Sequence, residues 1–111
     1  MTVSFADFAR IDIRAGTVLR AEPHAAARRP AYVLEIDFGP EIGTRTSSAQ
    51  LTDLYSPEAL VGRQVLAVVN LPPKRVAGVR SEVLVLGFPD AEGRVVLVTA
   101  DRPVPDGARL F

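Results

Sequence analysis

Cysteine and tryptophan are absent from this chain, and histidine occurs once, at His24. Without cysteine there is no disulfide framework, no thiolate metal site and no cysteine nucleophile. A single histidine excludes a two-histidine metal site and a histidine relay with ligands to spare. Aromatic residues make up only 6% of the sequence, which limits stacking on splayed bases to a few Phe and Tyr. No apolar run approaches the ~18–20 residues that a membrane helix needs. The opening Met1-Thr2-Val3-Ser4-Phe5-Ala6-Asp7 has neither the basic nor the apolar region of an export signal. The expectation is a cytoplasmic protein with no membrane insertion. Net charge is also zero, so only the local placement of charge can point to a charged partner.

What is present is ordinary globular composition: 111 residues, 48% hydrophobic and 23% charged. One domain over residues 1–111 follows, with a core just large enough to be self-supporting. The charge is blockwise. Residues 10–29 are basic through Arg10, Arg14, Arg20, Arg28 and Arg29 against Asp12 and Glu22. Residues 30–58 are acidic, with Arg45 alone against Glu35, Asp37, Glu41, Asp53 and Glu58. Residues 59–80 hold Arg63, Lys74, Arg75 and Arg80 and no acid. Lys74 is the only lysine among 13 basic residues. Arginine forks onto phosphate in a way that lysine cannot, although such blocks are equally compatible with solvated surface.

The local patterns are mostly those of strands. Arg10–Glu22 reads as a strand with a bend at Gly16. Pro23 ends it, and Pro23–Pro30 is a loop carrying His24, read as an exposed side chain, and the Arg28-Arg29 pair. Tyr32–Phe38 alternates, with Tyr32, Leu34, Ile36 and Phe38 on one face and Glu35 and Asp37 on the other. Gly39–Gly43 is a turn and Thr44–Gln50 a polar strand. Ser56-Pro57-Glu58-Ala59-Leu60 has a capping serine and a proline at the first helical position, so a short helix is expected, ended by Gly62. Gln64–Val69 and Val83–Leu86 lack alternation, as strands covered on both faces do. A loop, Leu71–Ser81, separates them. Asp90–Gly93 is a hairpin connection into a strand over Arg94–Ala100. The order is that of an all-β, five-stranded Greek-key OB-fold barrel, with one short helix between strands 3 and 4 and extensions at both termini.

In that fold the face of strands 2–3 and the loops joining strands 1–2 and 4–5 form the usual oligonucleotide surface. Here those loops carry Arg28 and Arg29, and Lys74, Arg75 and Arg80. Two distant basic clusters are therefore expected at one mouth. Ser47, Ser48, Gln50, Asn70 and Ser81 supply neutral donors for phosphate or a 2′-hydroxyl. The bland alternatives are a solvent face for the polar strand, a turn-stabilising role for Asn70, and a merely soluble loop tip at Lys74-Arg75. Asp12, Glu35 and Asp37 lack the partners of a metal or acid–base site and read as solvated edge residues. Ser47-Ser48 has no nucleophile-elbow setting, and Gly39–Gly43 lacks the lysine of a phosphate-binding loop. No enzyme, metal site or cofactor is expected. Phe5, Phe8, Ile11 and Ile13 at one end, and Val104, Leu110 and Phe111 at the other, form an apolar surplus. It fits a homodimer interface, chiefly Phe5, Phe8, Val104, Leu110 and Phe111, or docking of both tails on the barrel.

Several segments carry a resemblance. They are Asp12-Ile13-Arg14-Ala15-Gly16, Ile36-Asp37-Phe38-Gly39 with Ile42-Gly43, Ser47-Ser48-Ala49-Gln50, and the run Val68-Val69-Asn70-Leu71-Pro72-Pro73-Lys74-Arg75 continuing to Ser81-Glu82-Val83-Leu84. Together they resemble the CsaA family, within the wider tRNA-binding-domain group that is also appended to some methionyl- and phenylalanyl-tRNA synthetases. The similarity runs from about Phe5 to Gly107. It implies a homodimeric OB-fold that binds tRNA by shape, and an export-related chaperone role toward unfolded preproteins. It also implies a polar and basic surface at Ser47, Ser48, Gln50, Asn70, Lys74, Arg75, Arg80 and Ser81. Where the wider group has a Ser-x-Gly-Met element, this chain has Ser81-Glu82-Val83. That acid works against tight phosphate binding and keeps the chaperone role in contention.

Overall fold

A computed structural model describes the whole chain, Met1–Phe111. Its elements are α1 (Phe5–Ala9), β1 (Ile13–Pro23), β2 (Tyr32–Asp37), α2 (Gly39–Ile42), β3 (Thr44–Ala49), α3 (Pro57–Leu60), β4 (Gln64–Val68), β5 (Lys74–Val76), β6 (Val79–Ser81), β7 (Leu84–Val85), β8 (Gly87–Pro89) and β9 (Val95–Leu97). Five strands form one antiparallel sheet in the order β3-β2-β1-β4-β7. The sheet curls into a nearly closed OB-fold-like barrel. The long first strand makes this possible by serving two partners. Its first half pairs with β4, from Ile13↔Val68 to Thr17↔Gln64, and its second half with β2, from Thr17↔Asp37 to Pro23↔Tyr32. Gly16 sits where the partners change. A Cβ there would lie 2.7 Å from the side chains of Ile36 and Phe38, so only glycine lets β2 pack across the bend.

The alternation of β2 places Leu34, Ile36 and Phe38 in the interior with Val18, Leu51, Val65, Ala67 and Val83. Leu60 joins them from α3, whose first turn is capped by Ser56 Oγ accepting from Ala59 N. The barrel's last seam, between β3 and the stretch from β6 to β7, is closed largely by side chains. Glu82 N donates to Thr46 O (2.8 Å), while Thr46 N donates to a Glu82 carboxylate oxygen (3.0 Å). Ser48 N donates to Ser81 Oγ (3.0 Å), and Ser47 Oγ donates to Val83 O (3.0 Å). Serine and glutamate thus stand in for ladder bonds where two edges meet out of register.

Several local expectations change. A helix, α1, precedes the first strand, nucleated by a capping box in which Ser4 and Asp7 exchange side-chain-to-backbone bonds. Gly39–Ile42 is a short helical turn. Leu71–Ser81 is no plain loop but contains the β5–β6 hairpin, whose turn residues Ala77 and Gly78 hold φ of 45° and 84°. Positive φ at both positions matches the twist of a two-residue hairpin. The Val83–Leu86 run was expected to be covered on both faces, but it pairs only at Leu84–Val85 and leaves Leu84 52% exposed. The strand expected over Arg94–Ala100 is confined to Val95–Leu97, in a separate hairpin with β8.

The two termini are tied side by side. Ala15 N donates to Ala108 O, Gly107 N to Ala15 O and Leu110 N to Ile13 O, so the tail adds itself to the free edge of β1. Arg109 reaches Ala9 O (2.7 Å), and Asn70 clamps the turn after α1 by donating to Arg10 O (2.7 Å) and accepting from Asp12 N (3.0 Å). Asp12, expected to be a solvated edge residue, instead pairs with Arg14 at 2.6 Å. That hydrogen bond is the main reason the Arg14 guanidinium is held still more firmly protonated than usual. No helix is long and apolar enough to cross a membrane.

Candidate nucleic-acid interface

The β1–β2 connection is closed by His24 N donating to Ala31 O (2.9 Å) and tightened by Ala27 N donating to His24 O (3.0 Å). This small loop carries Arg28 and Arg29 outward, both exposed. Across from it stands the β5–β6 hairpin with Lys74 and Arg75, also exposed. The two basic pairs line one open cleft of about 1430 Å³, together with Ser48, Gln50 and Ser81. Its apolar wall includes Leu71, Pro72, Pro73, Val76, Leu84 and Val95. The sequence-distant clusters therefore meet.

The bases of this cleft have no ion-pair partner. The ion pairs of the protein engage Arg14, Arg20, Arg94, Arg102 and Arg109. None involves Arg28, Arg29, Lys74, Arg75 or Arg80. Glu82 is the single acid lining the cleft, and its carboxylate is turned to the Thr46 amide at the barrel seam. It is a fastening of the wall, which explains how an acid can stand beside a basic hairpin. Arg75 and Arg80 are directly opposed across the β5–β6 ladder. Like charges facing each other weaken a hairpin, and an anion lying between them would remove that repulsion.

The neutral residues divide. Ser48, Gln50 and Ser81 line the cleft, with Ser81 Oγ already accepting from Ser48 N. Ser47 is 1% exposed, with its hydroxyl committed to Val83 O inside the seam. Asn70 has both ends of its amide occupied at the α1–β1 junction, and Arg80 lies on the hairpin outside the cleft lining. His24 reverses expectation: it is 7% exposed, with Nδ1 2.9 Å from Ser48 Oγ and Nε2 3.1 Å from Ala77 O. A lone histidine in an alanine-rich loop gives no local signal of burial, because both of its partners lie far along the chain. No group of three or more potential ligands is positioned to hold a metal ion. Of the residues assigned to an interface, Phe5 (81% exposed), Phe8, Val104, Leu110 and Phe111 are all open to solvent. The rings of Phe5 and Phe8 lie 6.2 Å apart.

The chain is thus a small antiparallel barrel with a cationic cleft between its first loop and a hairpin, and the family model for the putative tRNA binding domain matches residues 13–109. The chain belongs to that family, and within it to the CsaA type. The structure of the chaperone CsaA from Bacillus anthracis str. Ames is 51% identical, with a TM-score of 0.94 over 100% of both chains. That of the CsaA chaperone protein from Picrophilus torridus is 42% identical, with a TM-score of 0.92 over 99% of this chain and 100% of that one. Among curated relatives, the methionine–tRNA ligase of Flavobacterium johnsoniae is 39% identical over 108 residues, 97% of this chain. The chain spans only 15% of that relative's length, so the likeness covers one domain of the ligase.

Proposed function

We propose that this protein binds tRNA, recognising its folded shape through the cleft between the β1–β2 loop and the β5–β6 hairpin, and that it does so as a homodimer. The observation that carries the reading is the convergence of Arg28, Arg29, Lys74 and Arg75 on one cleft with no ion-pair partner. Unpaired cations from two loops suit the phosphates of a folded backbone. No aromatic side chain lines the cleft, so the stacking platform that single-stranded recognition uses is lacking. Dimerisation is supported by the exposed apolar side chains of two termini that hydrogen bonds hold together. Two clefts on one particle would raise the apparent affinity through effective concentration. The cytoplasm is the compartment this reading assigns.

Titrating unfractionated tRNA against the protein at increasing salt tests it. Binding at low salt that weakens log-linearly with salt supports the cleft, and a slope near zero refutes it. Light scattering tests the second half: a particle of one chain at high concentration refutes the homodimer.

A second reading, a chaperone that holds unfolded preproteins, is favoured by the apolar wall of the same cleft and by exposed Leu84. Suppression of aggregation of an unrelated denatured protein tests it. A Leu84→Asp change should abolish suppression, while Lys74→Ala with Arg75→Ala should leave it in place.

A further inference from the structure

The β5–β6 hairpin projects from the barrel on the strength of very few bonds. Its base is fastened through Ser81 and Glu82. Beyond the base, residues 75–80 make a single hydrogen bond to the remainder of the chain, between Ala77 O and the ring of His24. A carbonyl can only accept, so His24 Nε2 carries the proton. In the neutral ring Nδ1 is then left to accept from the Ser48 hydroxyl, 2.9 Å away. The backbone of the same residue closes the β1–β2 loop, accepting from Ala27 and donating to Ala31. Four residues along this loop stands Arg28. One residue therefore joins the loop that carries one basic pair, the β3 strand that floors the cleft, and the tip of the hairpin that carries the other pair.

We infer that His24 is a positioning residue of the nucleic-acid site, setting the separation between Arg28-Arg29 and Lys74-Arg75 without touching the ligand. This rests on the tRNA-binding reading above. Phosphates on a folded RNA are fixed in space, so only the hairpin orientation that matches them is competent. The observed affinity falls in proportion to the fraction of molecules holding that orientation. Ala77 is the one non-glycine residue with positive φ. The bonded carbonyl is thus that of a residue held in a conformation its side chain disfavours, which the bond to the imidazole helps to maintain.

The experiment combines hydrogen exchange with tRNA titration. His24→Ala should speed amide exchange over residues 76–79 by about fivefold, the worth of one net hydrogen bond, while the barrel strands keep their protection. It should weaken binding of unfractionated tRNA by a comparable factor. His24→Gln, whose amide can still reach Ala77 O, should recover much of both. In a background carrying Lys74→Ala and Arg75→Ala, His24→Ala should weaken binding no further, because the hairpin then has no cation left in the cleft to position, Arg80 lying outside its lining. Equal weakening in both backgrounds would overturn the inference, since it would show a general loss of stability. So would unchanged hairpin exchange, or unchanged binding by the His24→Ala protein when the unsubstituted chain binds. Should His24→Ala fail to fold, His24→Leu, which fills the buried site but offers Ala77 O no donor, gives the same readouts. Failure of the unsubstituted chain to bind tRNA at all is a different result, which removes the functional reading itself.

Discussion

Replacing Lys74 and Arg75 together by alanine tests the cationic cleft most directly. Both residues are exposed and make no ion pair, Arg75 donating only to Gly78 O within its own hairpin (3.3 Å), and neither contributes to the barrel core, so the change should leave the barrel's folding intact. Each phosphate contact releases condensed counterions and contributes about 0.7–0.9 to the slope of log affinity against log salt. With four bases lining the cleft, the slope per cleft should be about −2.8 to −3.6, and the double variant should flatten it by about 1.4–1.8. Near 0.15 M salt each such contact is worth about fivefold, or about 1 kcal/mol, so the pair should cost about 25-fold in affinity. Fluorescence anisotropy of labelled tRNA over a salt series reads slope and affinity in one experiment. Arg102→Ala is the control. Arg102 is almost fully exposed and pairs only loosely with Asp101 at 3.8 Å, so its loss removes the same kind of charge outside the cleft. A double variant with an unchanged slope, or an Arg102→Ala slope reduced by as much per charge, would refute the reasoning and reduce the cleft to ordinary solvated surface.

Gly39→Ala should lower the melting temperature by several degrees, because Gly39 holds a φ of 84° and a Cβ would fall 2.5 Å from Asp106 O, lifting the tail off β1. Phe38→Ala, at a fully buried site, should cost about 3–5 kcal/mol in denaturant unfolding. The Asp90 carboxyl is held below the usual carboxylate range, first by the backbone N–H of Arg94, with bonds from the Arg94 side chain and the Glu92 amide adding to it. A depressed value means that the turn's stabilisation is complete above the ordinary carboxylate pKa and is lost as pH falls through the lowered one. NMR of the β8–β9 hairpin should therefore show no loosening near neutral pH and progressive loosening in acid below about pH 4, a change that Asp90→Asn should largely abolish. Replacing Phe5 and Phe8 by aspartate should shift the proposed dimer to single chains in sedimentation, with the barrel's circular dichroism unchanged.

The parts of the fold that could be read from the sequence are those with a local cause. Alternation in Tyr32–Phe38 marks β2 and its inner face, Ser56-Pro57 marks α3, and Asp90–Gly93 marks the β8–β9 turn. Ser4 and Asp7 form a capping box that is equally local, but the helix it starts is only five residues long, too short to show a repeat of its own. The β5–β6 hairpin escaped because its strands have three residues each and its turn is Ala-Gly, without the Asn-Gly or Asp-Gly that usually announces one. For the candidate site, the basic clusters and their meeting place followed from the order of strands. The duties of the neutral polar residues did not. Ser47, Asn70, Ser81 and His24 look alike from the chain as small or polar groups near a basic loop, yet their partners lie 24 to 60 residues away.

By itself, the sequence determined which side chains face inward along β2, and which stretches carry positive charge without an acid nearby in the chain. Both properties depend on neighbours within a few residues, through the two-residue repeat of a strand and the plain count of charges. Only the tertiary structure decided which polar groups remain free to meet a ligand. That depends on how distant segments meet: the Ser47 hydroxyl at the barrel seam, the Asn70 amide at the α1–β1 junction and the His24 imidazole at the hairpin tip are each claimed by a backbone group that no local pattern specifies.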